Sequence, residues 1–147
     1  MSYLIAARSV ADQLHSGYAA GMTELAYDFK IEVETHYLST QSDARSSQFG
    51  FSYTVSICNT GSLAAQLISR HWFITDGNAE TREVKGLGVI GEQPLISPGQ
   101  CYRYMSGVRL PTPFGTMHGT YQMLTKDRKL LEVMIPVFRL ATPELVN

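Results

Sequence analysis

From Tyr27 to Tyr37 the chain alternates, with Tyr27, Phe29, Ile31, Val33 and Tyr37 on one side and Asp28, Lys30, Glu32, Glu34 and His36 on the other. Successive side chains of an extended chain point to opposite faces, so a period of two predicts a half-buried β-strand. The run Phe49-Gly50-Phe51-Ser52-Tyr53-Thr54-Val55-Ser56-Ile57-Cys58 repeats the pattern, placing Phe49, Phe51, Tyr53, Val55 and Ile57 on its apolar face. The polar stretch from Ser39 to Ser47 separates the two and predicts a long-looped antiparallel pair. The turn Asn59-Thr60-Gly61-Ser62 closes the second run. Further strands are predicted at 65–75, closed by Asp76-Gly77-Asn78, and at 81–85, 100–106, 116–125 and 130–135, with a short end strand near Phe138. Turn signals recur between these runs and no amphipathic helix intervenes. The predicted fold is therefore an all-β antiparallel sandwich rather than a parallel α/β sheet.

A chain of 147 residues has room for one domain with a real core. Its 44% hydrophobic content and 17% charge exclude disorder and a coiled coil. Twelve basic against thirteen acidic residues leave a formal charge of -1 and no Lys/Arg run, so nothing predicts a nucleic-acid footprint. The apolar stretch Tyr3-Leu4-Ile5-Ala6-Ala7 is interrupted by Arg8 and Asp12, and reads as neither a membrane span nor a signal peptide. A cytoplasmic location is expected. Within residues 1–21, Leu4, Val10, Ala11, Leu14 and Tyr18 have weak helical spacing. Because Met22 stands just before the strand-rich part, 1–21 read as an extension from an upstream start choice or as loosely attached, with 22–147 as the domain.

The stretch Val84-Lys85-Gly86-Leu87-Gly88-Val89-Ile90-Gly91-Glu92-Gln93-Pro94 spells the glycine spacing with which nucleotide-binding folds approach a pyrophosphate. That use needs a helix opening directly after the glycines, and Pro94 stands there instead. A nest of backbone N–H groups at Gly86, Gly88 and Gly91 is the alternative anion device, with Lys85, Arg70 or Arg103 supplying charge. Three such contacts at about 1.5 kcal/mol each correspond to roughly millimolar affinity. The structural reading is that glycine permits positive φ and tight sheet-edge geometry.

Cys58 and Cys101 form no Cys-x-x-Cys and no Cys/His cluster of zinc spacing, and both are expected to be reduced. Cys58, Trp72 and Cys101 resemble an antibody-domain pattern, but Cys58 shares the polar strand face with Ser52, Thr54 and Ser56, whereas an inter-sheet disulfide must point inward. His71 and His118 are the natural metal or acid/base candidates, and neither has a partner at ligand spacing. His36 sits among Glu32 and Glu34 on a solvated face. Ser69 and His71 share a strand face without a nucleophile elbow, so no catalytic residue is assigned. Tyr102, Tyr104, Tyr121 and Phe138 read as core, or as partner anchors if exposed beside a sheet edge.

The ordered motifs Leu67-Ile68-Ser69-Arg70-His71-Trp72-Phe73-Ile74-Thr75-Asp76, the glycine stretch, Pro98-Gly99, Tyr104-Met105-Ser106-Gly107, Thr112-Pro113-Phe114-Gly115-Thr116-Met117-His118-Gly119-Thr120-Tyr121-Gln122-Met123 and Ile135-Pro136-Val137-Phe138-Arg139-Leu140 resemble the ApaG family. The resemblance covers residues 24–147. It implies an immunoglobulin/fibronectin type III-like β-sandwich, to which the residues, with no catalytic or metal constellation, add the expectation of no cofactor and no chemistry of its own. It implies a binding module, with protein as the foremost partner class. Two other roles come with it: a weak sensor of pyrophosphate-containing metabolites such as diadenosine polyphosphates, from gene neighbourhood, and a part in cobalt tolerance.

Overall fold

In the computed structural model, residues 25–145 are described in full and residues 2–8 by their backbone. Among the described residues nine strands run β1 (Ser2–Arg8), β2 (Asp28–Tyr37), β3 (Phe49–Asn59), β4 (Ala65–Asp76), β5 (Thr81–Leu87), β6 (Leu95–Ile96), β7 (Cys101–Leu110), β8 (Phe114–Leu124) and β9 (Leu130–Ala141). One sheet has the order β1-β2-β3-β7, the other β5-β4-β8-β9 with β6 paired to β4, and every pairing is antiparallel. This is the antiparallel sandwich expected from the alternation.

The predicted apolar faces are the ones that meet. Phe29, Ile31 and Val33 of β2 and Phe51, Tyr53, Val55 and Ile57 of β3 are buried against Trp72, Tyr121, Met123, Val133, Ile135 and Phe138 of the second sheet. Trp72 is the centre of this core, packing edge-on against the rings of Tyr53, Tyr121 and Phe138. The polar stretch after β2 forms two short 3-10 turns, Ser39–Gln41 and Ala44–Ser46.

Two bulges set the phase of the second sheet. The pairing of β4 with β8 slips between Leu67 and Ser69, so Ile68 is the extra residue. Leu67 points into the core before the bulge and Trp72 and Ile74 after it, leaving Ser69, His71 and Phe73 on the outer face. In the β8–β9 pair, Met117 faces Phe138 and Gly119 faces Ile135, so Pro136 and Val137 together oppose His118. A bulge on an edge strand is where a residue without an N–H is tolerated. The two strands expected around 130–135 and Phe138 are accordingly one continuous β9.

Two expectations are corrected. Ser2–Arg8, expected to carry part of a helical spacing, is a strand whose Ser2 to Arg8 pair with Glu34 to Asp28 of β2. Val10, Ala11, Leu14 and Tyr18 lie outside the described residues. Cys58 and Cys101, expected to be reduced, are joined by a disulfide. The strand phase of Cys58 does turn it away from the core. It excluded only an inter-sheet bond, whereas β3 and β7 place the two cysteines directly opposite each other in one sheet.

Candidate functional site

The glycine stretch docks on the β4 bulge. Gly88 N–H donates to the carbonyl of Ile68 (2.7 Å), and Gln93 Nε2 donates to the same carbonyl (2.9 Å). Gly88 adopts φ +59, and a Cβ there would collide with the Glu92 carbonyl. Its conformation swings Val89, fully buried, into the core. Val89 and Glu92 then exchange both backbone hydrogen bonds, each 2.9 Å. Between them, Ile90 (φ 43) and Gly91 (φ 81) both have positive φ, the signature of a type I′ hairpin turn. Gly88, Val89 and Glu92 thus direct their N–H groups to partners within the chain.

Arg70, in phase with Trp72, lies on the inner side of β4 opposite Gly86. Its Nη1 donates to the carbonyls of Leu87 (3.1 Å) and Gly88 (2.8 Å). A Cβ on Gly86 would stand 2.6 Å from that guanidinium nitrogen, so this glycine makes room for the arginine. Lys85 pairs with His71, one position along, and therefore belongs to the outer face. Arg70, Gly86 and Lys85 line one groove of about 470 Å³ together with Ser69, His71, Leu87 and Gln122. Arg103 is not brought to it. It is exposed on the outward side of β7 in the first sheet, opposite Ser56 of β3.

The outer face of the second sheet carries a ring ladder. His71 and Phe73 have centroids 4.4 Å apart, and the His118 ring stacks on Phe73 at 5.0 Å and 9°. His71 Nε2 also pairs with Glu83 Oε1 at 2.9 Å, while Ser69 Oγ donates to Gln122 Oε1 at 2.8 Å. The serine and the imidazole of this face are thereby held by different partners. No group of three metal-ligating side chains lies together among the described residues. His36, at the far end of β2, pairs with Glu34.

On the inner side, Tyr104 and Tyr121 share a hydroxyl–hydroxyl hydrogen bond of 2.5 Å. Burial pushes both phenols well above their ordinary range, and for Tyr121 the Tyr104 hydroxyl adds to the shift. Burial also raises Tyr53, against a hydrogen bond with Ser106 and the Arg70 charge. Tyr102 Oη donates to Glu92 Oε2 (2.7 Å), and desolvation together with that carboxylate pushes its phenol up to about 12. Sequence reasoning missed this tie between β7 and the glycine turn, and also the positive φ of Ile90. A hairpin reading of the four residues Val89 to Glu92 could have found the latter, since Ile90-Gly91 stands where such turns take Asn-Gly.

Residues 39–125 match the family model of the ApaG domain. The chain is 50% identical over 121 residues to protein ApaG of Nitrosomonas eutropha, covering 82% of this chain and 95% of that one. It is also 50% identical over 122 residues to protein ApaG of Pseudomonas aeruginosa, covering 83% and 97%. The crystal structure of a Bordetella pertussis protein described as ApaA superposes with a TM-score of 0.80 at 50% identity, covering 82% of this chain and 98% of that one. With an antiparallel sandwich, the glycine turn on its β4 bulge and identity at this level over most of its length, the chain belongs to the ApaG family.

Proposed function

We propose that this protein is a non-catalytic binding module that engages a protein partner through the glycine turn and the adjoining outer face of β5-β4-β8-β9. The observation that carries the reading is Ile90. It is a β-branched residue at φ 43 and is 58% exposed, so its side chain gains little from the core. A non-glycine residue in that region is disfavoured by roughly 1–2 kcal/mol, and such outliers concentrate at binding sites. Leu87 is 75% exposed beside it, and the face continues through the His71–Phe73–His118 ladder to exposed Met134 and Val137. Exposed apolar and aromatic side chains interspersed with polar ones and flanked by charge, here Lys85, Glu83 and Glu132, make the mixed kind of surface that protein interfaces use. Among the described residues, the edge strand β5 pairs on one side only.

The pyrophosphate-metabolite reading draws support from the groove holding Arg70, Gly86 and Lys85. Against it stand the engaged N–H groups of Gly88, Val89 and Glu92. A role in metal tolerance would rest on His71 and His118, each of which packs its ring against Phe73.

The test is Ile90→Asn, which supplies the residue that the turn favours. Stability should rise by about 1 kcal/mol, while cross-linked partners captured by the wild-type chain from cell extract should be lost. Unchanged capture by I90N and by Phe73→Ser would end the protein-partner reading. In parallel, saturable amide shifts at Gly86 to Gly91 with pyrophosphate or diadenosine tetraphosphate, weakened by Lys85→Gln, would favour the metabolite.

A further inference from the structure

We propose that Cys58 and Cys101 form a reversible thiol–disulfide exchange site on the outer face of the first sheet, entered at Cys101 by a low-molecular-weight thiol, and that its redox state governs how firmly the glycine turn is held. The bond lies away from the core, and its two residues differ in exposure: Cys101 is exposed and Cys58 is half-buried. It joins the last strand of its sheet, β7, to β3. The next pair along, Asn59 and Gln100, is hydrogen-bonded through Asn59 N–H to Gln100 O at 2.9 Å. In an antiparallel ladder that makes Cys58 and Cys101 a non-hydrogen-bonded pair, the kind with the closest side chains. Opening the disulfide therefore breaks no backbone bond between these two residues.

The surroundings favour one direction of attack. Lys30 lies directly across from Cys58 on β2, and a cation beside a thiol favours its thiolate and so its departure. Arg103 follows Cys101 two residues along the same face, while Asp28 and Glu32 flank Lys30 on theirs. A thiolate RS⁻ attacking Cys101 Sγ forms an R–S–Sγ bond as the Sγ–Sγ bond breaks, and Cys58 leaves as a thiolate that takes up a proton. A second RS⁻ attacks the sulfur of R, releasing RSSR and the Cys101 thiolate. Two electrons pass from two small thiols to the protein.

The coupling runs through the neighbouring residue. Tyr102 follows Cys101 and donates its hydroxyl to Glu92, which closes the turn through its paired backbone bonds with Val89. With the cross-link intact, the first residues of β7 are fixed against β3 and present Tyr102 to the turn. Once it opens, an edge strand frays from this end and the turn loses that support.

The test treats the full chain with reduced glutathione, quenches with acid, alkylates and maps the adducts by mass. Hydrogen exchange is then followed on the fully reduced protein. The proposal expects glutathione on Cys101 and alkylation on Cys58, with severalfold faster exchange across 88–93 and unchanged exchange across 29–33 of β2. The variant Cys58→Ser, which leaves Cys101 as the only thiol, should take glutathione from its oxidised form while folded. A glutathione adduct on Cys58, reaction only after denaturant is added, or turn exchange unaltered by reduction would each overturn it. So would acceleration spread equally over the core, which would make the bond a staple of the whole fold.

Discussion

Gly88 and Gly91 share positive backbone angles but not surroundings. At Gly88 (φ +59) a Cβ meets the carbonyl of Glu92, and at Gly91 (φ +81) it meets nothing within 4 Å. Gly91→Ala should therefore lose only the backbone term, about 1–2 kcal/mol. Gly88→Ala adds the displacement of Glu92 and of buried Val89, and should lose about 3 kcal/mol or more. Urea unfolding of the two variants checks the ranking, and equal losses would refute this account of the turn. Gly86 belongs to a third case, since its missing side chain leaves space for the Arg70 guanidinium. The glycine spacing was plain in the sequence. What each glycine accommodates was not, because Glu92, Ile68 and Arg70 reach the turn only through the fold.

At the scale of elements, clean alternation was legible and broken alternation was not. β2 and β3 hold the apolar faces expected of them because no bulge interrupts either strand. In β4 the alternation fails at Ile68, and only the pairing with β8 explains why Trp72 points inward while His71 faces out. The disulfide escaped for a related reason. Strand phase reports which face a cysteine occupies, but the partner of Cys58 is set by the crossover that brings β7 beside β3. The turn after β3 hid a structural residue. Asn59 is 2% exposed, donates through Nδ2 to the carbonyls of Leu63 and Ile96 (both 2.9 Å) and accepts from Gly61 N–H (2.9 Å). It thereby ties the end of β3 to β6. Asn59→Ala strands these three groups and should destabilise by about 3 kcal/mol, since each unsatisfied buried partner costs about 1–3 kcal/mol and water can re-enter at the surface. Asn59→Asp keeps the acceptor and loses both donors, so it should fall as far or further. A loss under about 1 kcal/mol for the alanine variant would show that the turn closes without Asn59.

For the molecule as a whole, the two sheets meet over a largely apolar core that includes a band of phenols. Tyr53, Tyr104 and Tyr121 cluster beside Trp72 and near Arg70, and burial raises all three. Aromatic content and strand phase announced a tyrosine-rich core, but the shared hydroxyl bond of Tyr104 and Tyr121 joins strands of different sheets and has no signal in either strand alone. The band makes stability depend on alkaline pH in a definite sense. A phenol whose folded pKa lies above its unfolded value binds its proton more tightly in the folded state. Its contribution is complete below the unfolded pKa near ~10 and declines as pH rises toward the folded value. For Tyr102 that window closes at about 12. For the buried three, ionisation before unfolding would place phenolate charge in a buried, poorly solvated site. Absorbance from these buried tyrosinates should accordingly appear only above the ordinary phenol range near ~10, in a cooperative step that coincides with loss of β-sheet circular dichroism. Tyr104→Phe removes one phenol of the hydroxyl pair and leaves Tyr121 without its partner, so the variant should be less stable at neutral pH, while its remaining buried phenols still ionise only as the sheet signal is lost. A single stage near pH ~10 with the sheet signal intact would mean that solvent reaches the phenols between the sheets, and that the two layers are held together without a dry core at this position.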